Sequence, residues 1–149
     1  MRVLGVDYGH KRVGLALSDE SGTIAQALEY INGGPISAVS REIARIAAER
    51  KVGRVVVGVP RRLDGTPSDQ TESTRAFIAE LRRTTTLPVV EWDERLTSVQ
   101  AERMLLEGNV RRKERKEKID KLAAQIMLQS YLDAQEIHNP LSEAPDDAP

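Results

Sequence analysis

Apolar positions along the chain follow two periods, and the switches between them lay out the elements. Val3, Leu4 and Val6 form a short run expected of a strand buried on both faces, and it ends at Asp7. Gly9 permits a tight turn, and Val13-Gly-Leu-Ala-Leu17 follows, so the two segments predict a hairpin. After a turn at Asp19–Gly22, loose alternation from Ile24 to Ile31 predicts a third strand, which Asn32-Gly-Gly-Pro35 stops. From Ser37, a plausible N-cap, Val39, Ile43, Ile46 and Ala47 recur at helical spacing, with Arg41, Glu42, Arg45 and Glu49 opposite. Gly53 is expected to end that helix, and Arg54–Val59 is an almost wholly apolar strand of the parallel type.

The loop Pro60–Pro67 leads to a helix with Thr74, Phe77, Ile78 and Leu81 on one face. Leu87–Trp92 predicts the next strand, which delivers Asp93, Glu94 and Arg95 at its end. Thr97 or Ser98 can cap a helix through Leu106, closed by Gly108. A charge run, Arg111–Lys118, opens a long helix with Ile119, Leu122, Ala123, Ile126 and Ser130 expected on one face. From Asn139 onward, Pro, Ala and acidic residues predict a disordered tail over 139–149, leaving one domain over 1–138. Three strands, then helix, strand, helix, strand and helices define an α/β class: a mixed five-stranded sheet with flanking helices.

Composition narrows the chemistry. With one Phe, one Trp and three Tyr among 149 residues, the core is aliphatic, and an aromatic platform is not expected to be the main means of holding single strands. The absence of cysteine excludes disulfides, thiolate zinc sites and thiol catalysis. No apolar run is long enough to span a membrane, and no signal sequence leads the first strand, so the expected location is cytoplasmic. The net charge of −1 hides an uneven distribution.

Carboxylates fall where strand ends can converge: Asp7, Asp93 or Glu94, and Asp120 in the first turn of the last helix. Strand alternation should aim only one of Asp93 and Glu94 inward. Grouped carboxylates raise one another's pKa unless a cation neutralises them, and all-oxygen ligation points to Mg²⁺ or Mn²⁺ and to phosphoryl chemistry. The same residues also admit plain structural roles, Asp7 as a turn cap, Asp93 as a strand end, and Asp120 as a helix charge beside Lys116 or Lys121. Lys11, Arg12, Arg61, Arg62, Arg95, Arg111, Arg112 and Lys113 form a basic rim suited to polyphosphate, or, for the last run, a solvated segment. Neither Gly-x-Gly-x-x-Gly nor a Walker lysine motif occurs, and the two histidines are far apart.

Gly5-Val-Asp-Tyr-Gly-His-Lys-Arg-Val-Gly-Leu-Ala-Leu-Ser-Asp19 resembles the opening motif of the YqgF-type, or RuvX-like, family, whose members carry the names Holliday junction resolvase and pre-16S ribosomal RNA nuclease. Val57–Pro60 with Asp64-Gly-Thr66, Asp93–Ser98, and Lys118–Ala124 with Leu128-Gln129 resemble its later motifs, in order, up to about His138. One departure is the loop Pro67–Gln70, less glycine-rich than the pattern. The resemblance implies a ribonuclease H-like fold and a metal-dependent hydrolase, a nuclease cutting structured nucleic acid: precursor 16S rRNA, or branched DNA in the alternative. It implies Asp7, Glu94 and Asp120 as catalytic and metal-binding acids, with Asp93 as alternative to Glu94, and Arg12, Arg95 and Thr97 at phosphate or orienting positions. A monomer or homodimer fits, and a non-catalytic RNA-binding factor is the third reading.

Overall fold

The computed structural model describes residues 1–95 and 112–138, with the side chains of 1–95 and 122–135. The chain runs β1 (Arg2–Asp7), β2 (Arg12–Ser18), β3 (Ala25–Ala27), β4 (Ile31–Asn32), α1 (Ile36–Glu49), β5 (Val52–Val59), α2 (Asp69–Thr84), β6 (Val89–Asp93) and α3 (Arg112–His138). The sheet order is β3-β2-β1-β5-β6, a mixed sheet of five strands, and the two-residue β4 adds a sixth by pairing with β2. β1 pairs antiparallel with β2 and parallel with β5, which pairs parallel with β6.

Alternation along the strands assigns two faces. Leu4, Val6, Val13, Leu15, Val55, Val57 and Val59 face α1 and α2, meeting Val39, Ile43, Phe77, Ile78 and Leu81 in the larger core. Tyr8 stacks on Phe77 there, ring centroids 4.5 Å apart. Val3, Ala16 and Val56 face α3, meeting Ala124, Met127, Leu128, Tyr131 and Leu132. The helix approaches closely because β1 has a glycine beneath it: a Cβ on Gly5 would lie 2.9 Å from that of Leu128.

Four expectations change. The third strand is broken in two. Ala16 pairs with Ala27 while Val13 pairs with Ile31, so three steps on β2 face four on its partner, and the extra residue is a bulge between Leu28 and Tyr30. The residue preceding α1 is Pro35, not Ser37, and no side chain caps it. The helix stops at Arg50, with Lys51 in the left-handed region (φ 56°), so Gly53 falls inside β5 instead of ending α1. On α3 the buried face is Ala124, Met127, Leu128, Tyr131 and Leu132; of the expected residues whose side chains are described, Ile126 is buried and Leu122, Ala123 and Ser130 are half-buried. Apolar residues flank this helix on two sides, so periodicity left its rotation open, and the glycine-floored sheet fixed it. The helix expected from Thr97 or Ser98 to Leu106, and the tail from Asn139, lie outside the described residues. Among the described residues no helix is long and apolar enough to cross a membrane.

Candidate functional site

Asp7 ends β1 at the centre of the sheet, on the α3 face by alternation from Val3 and Gly5. Its partner on β2 is Gly14. On the other side, one step past the Val6–Val57 pair, lies Gly58 of β5, itself opposite Trp92 of β6. The carboxylate therefore stands between two residues without side chains.

That gap admits Glu94. Its amide donates to the Val59 carbonyl at 3.2 Å, anchoring the residue just past β6. Its side chain lies over β5, where a Cβ on Gly58 would come within 2.5 Å of Oε1. The carboxyl hydrogen-bonds to that of Asp7. Burial, then the charge of Asp7 and this bond, push the Glu94 pKa from an ordinary 4.5 up to about 8. Glu94 thus keeps its proton at neutral pH when no cation is bound.

Asp93 goes the other way. It accepts from Arg95 Nε at 2.9 Å and Nη2 at 2.7 Å, and Arg61 approaches to 4.0 Å. The Arg95 hydrogen bonds hold its pKa below the usual range. Of the two adjacent acids, Glu94 is the one brought to Asp7, while Asp93 ties the end of β6 to the loop after β5. Arg95 extends that tie by donating to the Leu63 carbonyl at 3.4 Å.

The third expected acid, Asp120, belongs to α3. Leu128 stands over Gly5, and the Ala124 Cβ is 3.5 Å from a Cβ built on Gly14. Each turn towards the N-terminus of α3 thus moves towards the Asp7 end of the sheet. Position 120, one turn before Ala124, falls past the end of β1 on the same helical face. Its side chain, with those of Arg112 and Lys113, is not among those described, and Thr97 and Arg111 lie outside the described residues. No group of three or more potential metal ligands occurs among the described residues.

The basic rim divides. Lys11 and Arg12, on the turn into β2, are exposed, and Arg12 sits over the Tyr30 ring, 5.0 Å from its centroid. Arg62 is exposed in the loop after β5, whereas Arg61 and Arg95 are engaged by Asp93. The pattern of residues did not single out the two glycines that flank Asp7, nor Tyr30 beside Gly14. Gly14 and Gly58 sit in otherwise apolar strands, which is the signal that marks a close approach.

The RuvX family model, described as Holliday junction resolvase, matches residues 1–134. The chain belongs to this family. A relative from Symbiobacterium thermophilum, named "Putative pre-16S rRNA nuclease", is 46% identical over 142 residues, covering 95% of this chain and 99% of its own. A relative of the same name from Caldanaerobacter subterraneus subsp. tengcongensis is 48% identical, covering 91% and 98%. Among solved structures, Thermus thermophilus RuvC in complex with Holliday junction substrate superposes with a TM-score of 0.58 at 14% identity, covering 91% of this chain and 95% of that one. This likeness speaks for the fold, the expected ribonuclease H-like arrangement.

Proposed function

We propose that this RuvX-family chain is a divalent-metal-dependent nuclease for structured nucleic acid, acting in the cytoplasm as a monomer or homodimer, with Asp7, Glu94 and Asp120 as its acids. The observation that carries the reading is the hydrogen-bonded Asp7–Glu94 pair, at the end of the central strand. Two half-buried carboxyls facing each other are unfavourable unless a proton or a cation lies between them. An all-oxygen donor set suits a hard ion, so the pair fits Mg²⁺ or Mn²⁺, with Asp120 completing the set. Such an ion, when bound, lowers the pKa of water and offsets charge on a phosphodiester. The chain's own part is to hold the carboxylates at the strand ends, fix Glu94 over Gly58, and supply cationic side chains to draw the backbone in. Lys11, Arg12 and Arg62, with Arg111, Arg112, Lys113 and Thr97, are candidates for phosphate contact. Arg61 and Arg95 do so only after exchanging Asp93 for phosphate, and otherwise brace the loop.

The relatives' shared name favours precursor 16S rRNA as substrate. The family description favours the second reading, a four-way DNA junction. An assay offering both substrates with Mg²⁺ or Mn²⁺ separates them. Cutting of the RNA alone is the expected result, symmetric nicks in the junction favour the resolvase, and binding without cleavage of either favours a non-catalytic RNA-binding factor.

Gly58→Ala tests the acid pair without removing either member. The added methyl meets the flexible end of Glu94, so the fold accommodates it by moving the carboxylate. The expected outcome is an unchanged far-ultraviolet spectrum with cleavage reduced on the order of 10²-fold. Undiminished activity would show that the position of Glu94 does not matter.

A further inference from the structure

We infer that Tyr30 is a nucleobase-stacking position, so that the preferred substrate has an unpaired nucleotide beside the phosphate held at Asp7. The inference rests on the nuclease reading and deepens it by naming a substrate feature. Its first support is the bulge between Leu28 and Tyr30. Without the extra residue, continuing the β3 register would set Tyr30 opposite Val13, on the face that packs against α1 and α2. With it, the β4 register sets Tyr30 opposite Gly14, on the face of Asp7. Bulges beside functional sites commonly re-aim a side chain in this way. The side chain agrees: Tyr30 Cε1 and the Asp7 Cβ each lie 3.6 Å from a Cβ built on Gly14.

The row across the sheet therefore reads Tyr30, Gly14, Asp7, Gly58, Trp92. Only a glycine separates the two positions: their backbones lie two strand spacings apart, about 10 Å, and the Tyr30 ring leans across Gly14 towards Asp7. Tyr8 is stacked on Phe77 in the larger core, and Trp92 packs edge-on against Tyr131 under α3. Tyr30 is 41% exposed, although burying a tyrosine would favour folding. Arg12 over the ring adds a cation where a nucleotide's phosphate would pass. Stacking on a π-face reads no sequence, so the device selects for an unpaired base of any kind.

The test uses the full-length protein and a short single-stranded RNA containing 2-aminopurine, with Ca²⁺ in place of Mg²⁺ or Mn²⁺ to limit cleavage, and the same RNA annealed to its complement. Wild type is expected to quench and bind the single strand. Tyr30→Ala weakens that binding roughly 5- to 150-fold, the worth of one stacked base, while Tyr30→Trp retains it and duplex binding is unaffected by either change. If Tyr30→Ala fails to fold, Tyr30→Leu, which keeps apolar bulk without a π-face, takes its place against Tyr30→Trp. Equal quenching and affinity in wild type and the Ala or Leu variant overturns the inference. The readout is independent of cleavage, since it is quenching and affinity in Ca²⁺, so a failed nuclease assay leaves the stacking result standing, and the reverse.

Discussion

Asp7→Asn is expected to fold normally and to lose cleavage by at least about 10³-fold, with nucleic-acid affinity changed no more than a few-fold. The reason is local. Asp7 lies between Gly14 and Gly58 on the neighbouring strands, and the isosteric amide keeps the size and shape of its side chain. It also removes the charge opposing Glu94, whose pKa then falls, and the substituted protein should be no less stable than wild type at pH 8. Single-turnover cleavage and urea unfolding on the same preparation check both halves. A variant keeping more than a tenth of wild-type activity would remove Asp7 from the acid set.

The second large effect is a pH dependence of stability with an unusual sign. Glu94 titrates near 8 when folded and near its ordinary 4.5 when unfolded, so between those values the folded state binds the extra proton. Its contribution to stability is fully present below about pH 4.5 and is lost as pH rises towards 8, with a slope approaching about 1.4 kcal/mol per pH unit. Asp93, held low by Arg95, behaves oppositely, but its contribution is lost only as pH falls below the ordinary carboxylate range, so the two windows do not overlap. Urea unfolding in chelator across pH 5–9, taken as wild type minus Glu94→Gln, isolates the Glu94 slope. Mg²⁺ or Mn²⁺ at pH 8 should restore the lost stability by binding only the folded pair, and should release protons as it binds at pH 7. Identical slopes in wild type and Glu94→Gln would mean that Glu94 titrates normally.

Much of this was legible in the chain itself. Strand-period runs ending at Asp7 and at Asp93-Glu94 located the acids because a carboxylate closing an apolar run has few places to go. The larger core followed from the spacing of Val39, Ile43, Phe77, Ile78 and Leu81, all of which are buried. The third strand was misread because alternation by two cannot register a single inserted residue. The rotation of α3 was misread because its apolar residues occupy two adjoining stripes.

What the sequence by itself determined is therefore most of the order of elements, the apolar faces that α1 and α2 bury, and the strand ends at which Asp7 and Asp93-Glu94 stand, since these depend on local period and burial. Only the tertiary structure decided the rest. It sent Glu94 to Asp7 and Asp93 to Arg95, because β6 pairs with β5 in a register that sets Trp92 and Glu94 over the α3 face. It also turned Tyr30 onto that face through one extra residue. Both are questions of which strand lies beside which, and in what register. Pairings between distant segments leave no period in the chain for a reader to find.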